Sequence, residues 1–180
     1  MDLAWLNKHI QGSDDRAGEK IKNLLGLTDK AIQTVRKISS ELRPSMLEDL
    51  GLAEALENLC YEFEKRTDIK TIFTSGLDYL QLSGPVSTGL FRILQEGLTN
   101  VERHAKATRV NVSLQEQNDQ LFLKIQDNGI GFEVNSMENK KTLGILRIRE
   151  QTNLIGGKYL LHSNPGEGTR MEIIVLIKSE

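Results

Sequence analysis

Several features that define whole classes of proteins are scarce or missing in this sequence. Its 180 residues include one cysteine, Cys60, so an intrachain disulfide is impossible, as is usual for cytosolic proteins. No apolar run has the length of a transmembrane helix, and no signal peptide is recognisable. The formal net charge of −2 gives no basic footprint for nucleic acid. We therefore expect a cytoplasmic chain without a nucleic-acid partner, whose only link to a membrane would be through segments of a parent protein.

A glycine-containing turn follows a strand pattern in the second half of the chain. Residues 121–126 alternate apolar and polar positions, and the next six are Asp127-Asn128-Gly129-Ile130-Gly131-Phe132. Asp-Asn-Gly after a strand commonly opens a hairpin, which is the alternative interpretation. However, residues 133–142 are too polar for a second strand, and Gly131 allows backbone to approach a ligand closely. The Asp127 carboxylate could accept a hydrogen bond from an exocyclic amine such as that of adenine.

A second set of polar residues lies about thirty residues earlier, on a segment whose apolar residues recur every three or four positions from 86 to 101. This spacing predicts an amphipathic helix, with Glu96, Asn100, Arg103 and His104 forming a second stripe. A solvated face is the alternative. Gly97 argues against it, because a helical glycine costs about 1 kcal/mol relative to alanine and suggests that something needs room there. Asparagine and glutamate oxygens suit Mg²⁺, and nearby basic groups suit phosphates.

Residues 91–105, Phe-Arg-Ile-Leu-Gln-Glu-Gly-Leu-Thr-Asn-Val-Glu-Arg-His-Ala, resemble the N-box of sensor histidine kinases that partner LuxR-type (NarL-like) response regulators. The resemblance implies that Asn100 holds Mg²⁺ and that Glu96 assists phosphoryl transfer from ATP. It also implies that the basic residues after Asn100 approach the phosphates; these are Arg103, His104 and Lys106.

The turn at Asp127 is similar to the next motif of the same family. Asp127 matches the aspartate that contacts adenine, and Gly129 and Gly131 match the hinge at the start of the ATP lid. Residues 130–143 are then expected to form this lid and to be mobile without ATP.

Two further glycine motifs follow in the family's order and spacing. Gly144 opens a segment like the second glycine box, where the start of a helix would direct backbone N–H groups at an anion. Gly166, Gly168 and Thr169 match the final box, in which the threonine supports the adenine pocket. Each motif alone is weak, but four in order identify the chain as a member of this family.

The N-terminal third carries a different pattern. Apolar residues repeat at heptad spacing from Ile21 to Leu42, and Pro44 ends the run. This indicates a coiled-coil or bundle seam, although packing on the chain's own domain is the alternative. Residues 1–10 form a shorter apolar segment, and residues 11–15 a plausible link between two helices. In the resembling family such hairpins pair into a dimeric four-helix bundle, which implies a homodimer.

The sequence departs from the family at the phosphoacceptor histidine, which normally lies in the first helix before an acidic residue. His9 is followed by Ile10, so we expect the chain to begin inside that helix, downstream of the acceptor. Such a chain should bind ATP without phosphorylating itself. Two other residues receive ordinary structural assignments: His162 faces outward on a strand, and Cys60 is a buried core thiol.

The predicted fold class is α+β, with a helical hairpin at 1–44, a connector at 45–51 and a two-layer α/β sandwich at 52–180. Helices are predicted at 52–66, 85–104 and 144–155, and strands at 69–74, 108–115, 121–126, 158–163 and 169–178. The favoured function is the catalytic portion of an ATP-dependent protein-histidine kinase that relays phosphate to a response regulator. The alternatives are an ATP-sensing module that binds or dephosphorylates a regulator, and an anti-sigma-type serine kinase, which would not need the N-terminal seam.

Overall fold

The computed structural model describes residues 24–28, 47, 49–76, 82–134 and 143–177. The chain divides into two compact units, Met1–Pro44 and Ser45–Glu180. In the first unit, residues 24–28 are helical, and Leu24 of the predicted seam is 51% exposed. The remainder of the predicted hairpin and residues 135–142 of the predicted lid lie outside the described residues.

Three α-helices form one layer of the second unit: α1 (Leu52–Thr67), α2 (Gly84–Asn100) and α3 (Leu143–Leu154). The buried residues of α1 recur every three or four positions and include Cys60, which is 2% exposed, so its predicted core position is confirmed. Pro85 lies in the first turn of α2, where its missing N–H has no intrahelical partner to lose. Among the described residues, no helix is both long and apolar enough to cross a membrane.

Five strands form one sheet in the order β1-β2-β3-β5-β4. They are β1 (Lys70–Ser75), β2 (Arg109–Gln117), β3 (Gln120–Asp127), β4 (Lys158–Ser163) and β5 (Thr169–Leu176). β1 pairs with β2 in parallel, and the other three pairings are antiparallel. Burial alternates along β2, β3 and β5, so one face of the sheet packs on the helices. The predicted mixed α+β fold is confirmed.

Gly97 lies where α2 crosses this sheet. A Cβ atom at this position would be 2.9 Å from Ile125 Cδ1 on β3 and 2.9 Å from Met171 Cε on β5. The glycine therefore lets the helix approach the sheet closely. Something does need room beside Gly97, as the sequence suggested, and it is the hydrophobic core.

The end of α2 differs from the prediction of one α-helix through residue 104. The α-helix ends at Asn100, and Val101–Ala105 forms a π-helical turn, at whose start the Val101 N–H points to the carbonyl oxygens of Gly97 and Leu98. A π turn is wider than an α turn, so the angular positions of residues 103 and 104 differ from those of an α-helix. The part of the predicted stripe beyond Asn100 stays a prediction.

Candidate functional site

Asp127 is the last residue of β3, between Val110 on β2 and Thr169 on β5. It is 7% exposed, and its Oδ1 accepts a hydrogen bond of 2.8 Å from the Gly129 N–H. Burial raises the pKa of the Asp127 carboxyl above its ordinary value, while hydrogen bonds from Gly129 and Thr169 act in the opposite direction. The site thus contains a desolvated carboxylate that is fixed in orientation and can accept a further hydrogen bond.

The glycines around Asp127 allow backbone segments to touch. A Cβ on Gly129 would collide with the carbonyl oxygen of Ala105, which accepts a 2.8 Å hydrogen bond from Ile130 N–H. Gly168, at φ 74°, places its Cα against the carbonyl oxygen of Asp127. Gly131, at φ 58°, packs against the carbonyl oxygen of Asn164. The sequence suggested that Gly131 leaves room for a ligand, but the space beside its Cα is occupied by this loop.

Asn128 connects the turn to the segment that follows the π turn. Its Oδ1 accepts hydrogen bonds from the N–H groups of Thr108 (3.0 Å) and Arg109 (2.9 Å), and its Nδ2 donates to Thr108 Oγ1 at 2.9 Å. Its own N–H donates to the Arg109 carbonyl at 3.2 Å. Sequence analysis gave Asn128 no role, because Asn-Gly is a common turn pair. Its side chain nevertheless links the Asp127 turn to the residues that follow the N-box.

Glu96 and Asn100 lie one turn apart on α2, both partly exposed, and Gly144 brings the start of α3 against them. A Cβ on Gly144 would be 2.7 Å from Asn100 Oδ1 and 2.8 Å from Glu96 Oε1. Residues 44 to 48 positions apart in sequence therefore meet at one point. The structure brings the N-box and the Gly144 motif together.

The basic residues Arg103, His104 and Lys106 are exposed at the end of this helical segment. Lys106 has a left-handed backbone with φ 50°, which ends the π turn. The neighbouring Glu102 forms an exposed 2.9 Å ion pair with Arg66 of α1, a contact typically worth under about 1 kcal/mol. These residues lie next in sequence to Ala105, whose carbonyl accepts the hydrogen bond from Ile130 in the Asp127 turn. The N-box and the Asp127 turn are therefore also adjacent.

The final motif, Gly168-Thr169, joins the site through β5. Thr169 lies directly across from Asp127 in the β3–β5 register, and across from Ser163 in the β4–β5 register. Ser163 is 8% exposed and contacts both the Gly168 carbonyl and the Thr169 hydroxyl. Sequence analysis did not select Ser163, since a serine before Asn164-Pro165 is typical of any turn. His162, its neighbour, is exposed as predicted.

The residues present fit a magnesium ion that is shared with a bound phosphate. Among the described residues, no three His, Cys, Asp or Glu side chains gather as a metal site. Mg²⁺ does not require such a cluster, because it keeps several waters and binds through one or two protein oxygens plus substrate phosphates. Asn100 and Glu96 make no hydrogen bond or ion pair within the described part of the chain, so their oxygens remain available for such a role.

Residues 86–179 match the family described as histidine kinase-, DNA gyrase B- and HSP90-like ATPases. The chain is 35% identical over 166 residues to the sensor histidine kinase MctS of Rhizobium johnstonii, covering 91% of this chain and 36% of that protein. It is also 35% identical over 173 residues to the sensor histidine kinase LiaS of Bacillus subtilis, covering 96% of this chain and 47% of LiaS. The chain thus spans less than half the length of either relative.

Solved structures show the same fold. The histidine kinase domain of the blue-light-activated kinase EL346 from Erythrobacter litoralis superposes with a TM-score of 0.65 at 17% identity, covering 97% of this chain and 90% of that one. The ATP-binding domain of PrrB from Mycobacterium tuberculosis gives 0.60 at 20% identity, covering 71% and 94%. The chain belongs to the family of histidine kinase-, DNA gyrase B- and HSP90-like ATPases, and its ATP-binding domain is of the histidine-kinase type.

Proposed function

We propose that this chain is the catalytic portion of an ATP-dependent protein-histidine kinase, which transfers the γ-phosphoryl group of ATP to a histidine. The observation that carries the proposal is the meeting of Glu96, Asn100 and Gly144 at one point. This arrangement supports the proposal, because a metal ligand, a base and the start of a helix would all be within reach of one phosphate. Other ATPases of this superfamily share the adenine pocket, so the phosphate end decides the reaction.

At the adenine end, Asp127 accepts a hydrogen bond from the exocyclic amine. Its burial makes this contact selective, because a base without the amine would leave a desolvated carboxylate without its partner. Thr169 supports the carboxylate, and Gly129, Gly131 and Gly168 hold the surrounding turns in place.

At the phosphate end, Asn100 would hold Mg²⁺, and the ion would supply charge neutralisation at the phosphate oxygens. Arg103 and Lys106 contribute positive charge at the end of the same helical segment, and His104 adds a ring nitrogen that can donate a hydrogen bond. The 12-residue helix α3 adds the backbone N–H groups of its first turn, which favour an anion. Positioning and electrostatics account for most of the catalysis of phosphoryl transfer, so this combination suits the reaction.

Glu96 is the proposed catalytic residue. Its carboxylate lies beside the start of α3, so it can orient the acceptor imidazole or accept its proton. In that step the N–P bond forms while the bond from the γ-phosphorus to the bridging oxygen breaks and ADP leaves. General-base assistance of this kind is typically worth about 10²–10⁴-fold in rate.

The N-terminal residues 1–44 are proposed to be a partial dimerisation hairpin, joined through a connector at 45–51 to the ATP-binding domain at 52–180. Similarity to LiaS covers 96% of the chain, well beyond the family match at 86–179. The exposed Leu24 lies on the heptad seam that a second copy would cover. We further propose a homodimer in the cytoplasm with a LuxR-type response regulator as partner, and an acceptor histidine supplied from outside residues 1–180.

Two measurements test the proposal. Calorimetric titration with an ATP analogue should show tighter binding when Mg²⁺ is present, and Asn100→Ala should remove most of this increment while leaving the melting temperature almost unchanged. Asn111→Ala is the matched control, since Asn111 is an exposed asparagine on β2. A melting temperature that falls sharply in Asn100→Ala would instead make Asn100 a structural residue.

The second measurement concerns transfer. Labelled ATP and Mg²⁺ should yield acid-labile phosphate on a longer form of the chain that carries the acceptor histidine and an inactivated ATP site, and none on the chain alone. Glu96→Gln should abolish most of the transfer while keeping ATP binding. ATP binding without transfer to that acceptor would contradict the kinase assignment and favour an ATP-sensing module. Phosphohistidine at His9 in the chain alone would show that the acceptor lies within these residues.

A further inference from the structure

Ser163 carries a buried hydroxyl at the end of β4 that contacts two separate parts of the candidate site. Its Oγ accepts a 2.9 Å hydrogen bond from the N–H of Phe132, donates a 2.9 Å hydrogen bond to the Gly168 carbonyl oxygen and lies 3.1 Å from Thr169 Oγ1. Phe132 follows the Asp127 turn, whereas Gly168 and Thr169 belong to the final glycine motif. A small polar side chain with three such contacts in a nearly dry position fixes its neighbours strongly.

The sheet register places Ser163, Thr169 and Asp127 in one row across three strands. The Thr169 hydroxyl can donate to the Asp127 carboxylate, a hydrogen bond that lowers the pKa of Asp127. Each hydroxyl has a single proton. Ser163 uses its proton on the Gly168 carbonyl and accepts from the Phe132 N–H, so one oxygen links the Gly168–Thr169 segment to the end of the Asp127 turn. The Thr169 hydroxyl keeps its own proton for Asp127.

We propose that Ser163 is a positioning residue for adenine recognition. Its hydroxyl oxygen holds both the Gly168 carbonyl and the Phe132 N–H, and so it fixes the backbone on two sides of the Asp127 carboxylate. The proposal rests on the proposed function, in which Asp127 accepts a hydrogen bond from the exocyclic amine of adenine. Ser163 itself does not contact the base.

Removal of the hydroxyl has a specific expected effect. In Ser163→Ala, the Phe132 N–H loses its acceptor and the Gly168 carbonyl loses its donor, so the two backbone segments beside Asp127 are held less firmly. The carboxylate then holds the exocyclic amine less well, whereas the phosphate-binding residues on α2 and α3 are untouched. Preference for adenine should therefore fall more than affinity for phosphates.

Calorimetric titration of the whole chain with ADP and with IDP separates these effects, because inosine has an oxygen in place of the exocyclic amine. The Kd for IDP divided by the Kd for ADP measures the preference for adenine. Ser163→Ala should lower this ratio by roughly 2- to 10-fold, the loss of one net hydrogen bond, and should change IDP affinity little. Ser163→Thr keeps a hydroxyl and should restore most of the preference. His162→Ala, an exposed neighbour on the same strand, should behave as wild type.

The outcomes distinguish this proposal from the proposed function. If the wild-type chain binds neither nucleotide, or if Asp127→Asn leaves base preference intact, the adenine site itself is misassigned. If Asp127→Asn removes the preference while Ser163→Ala keeps it, or weakens ADP and IDP equally, the positioning role of Ser163 is refuted. Should Ser163→Ala fail to fold, Ser163→Cys replaces it under the same criteria, since a thiol is only a weak hydrogen-bond donor.

Discussion

Gly144→Ala probes the centre of the candidate site through a single methyl group. Gly144 is the second residue of α3, and the added Cβ would lie 2.7 Å from Asn100 Oδ1 and 2.8 Å from Glu96 Oε1. Ordinary contacts of a Cβ begin near 3.4 Å, so each oxygen must retreat by at least about 0.6 Å. Both oxygens are the far ends of flexible side chains, which can move without shifting the backbone.

The same substitution should leave stability almost unchanged. Alanine favours a helix over glycine by about 0.5–1 kcal/mol. Moving a side chain away from its preferred rotamer costs about 0.5–1.5 kcal/mol. These two effects oppose each other, so we expect a melting temperature close to that of the wild type. Catalysis is far more sensitive, because a misplacement of about 1 Å can cost roughly 10²-fold in rate. We expect phosphoryl transfer to fall by roughly 10- to 100-fold.

Thermal unfolding and transfer of label from ATP to the acceptor are the two assays. Gly26→Ala is the matched control, because Gly26 lies in a helical segment and a Cβ there meets nothing within 4 Å. It should leave transfer unchanged, and any change in stability should be the small gain of alanine over glycine in a helix. Wild-type transfer by Gly144→Ala would show that the placement of Asn100 and Glu96 does not matter. A large loss of stability would instead show that the two side chains cannot move away from the new methyl group.

Four further predictions concern three other buried groups. Asp127→Asn should weaken binding of an ATP analogue by roughly 10–100-fold in calorimetry, because two donors would face each other; unchanged binding would remove Asp127 from the pocket. Burial raises the pKa of Asp127 in the folded state, so ionisation of this carboxyl costs stability. The melting temperature of the Asn variant should therefore rise relative to that of the wild type as pH increases through that pKa. A constant difference between the two melting temperatures from acidic to neutral pH would contradict this. Cys60, whose pKa burial raises to about 12, should react with a thiol reagent at pH 8 only as fast as the protein unfolds, so rapid labelling of the folded chain would refute its burial. The buried hydroxyl of Tyr159 has no hydrogen-bond partner among the described residues. Tyr159→Phe should therefore raise the free energy of unfolding in denaturant titrations by about 1 kcal/mol. A lower free energy of unfolding would reveal a partner.

The elements of the second unit could be predicted because their signals are local. Burial with a period of two along β3 and of three to four along α2 is visible in short windows of sequence. The position of β5 between β3 and β4, and the parallel pairing of β1 with β2, depend on contacts between distant residues. No local pattern encodes them. The π turn at Val101–Ala105 was missed for a related reason, since its apolar residues at 101 and 105 also satisfy an α-helical spacing.

The residues of the candidate site divide in the same way. Asp127, Asn100 and Gly144 stand in motifs that are recognisable from residue type and order. Ser163 and Asn128 are common turn residues, and only their hydrogen bonds distinguish them. Their importance arises from the register of the sheet and from loops that cross it, so it becomes visible only in three dimensions.

The two ends of the site are held by different forces. Around Asp127, backbone groups and buried hydroxyls hydrogen-bond to one another, and glycines allow carbonyl oxygens to lie against Cα atoms. By contrast, the side chains of Glu96 and Asn100 are partly exposed and make no hydrogen bonds among the described residues. The proposed adenine end is therefore preorganised before nucleotide binds, since its polar groups already have partners. At the proposed phosphate end, Glu96 and Asn100 would gain partners only from the metal and the phosphates. Substitutions at the first end should thus change stability and affinity together, whereas those at the second should change affinity or transfer alone.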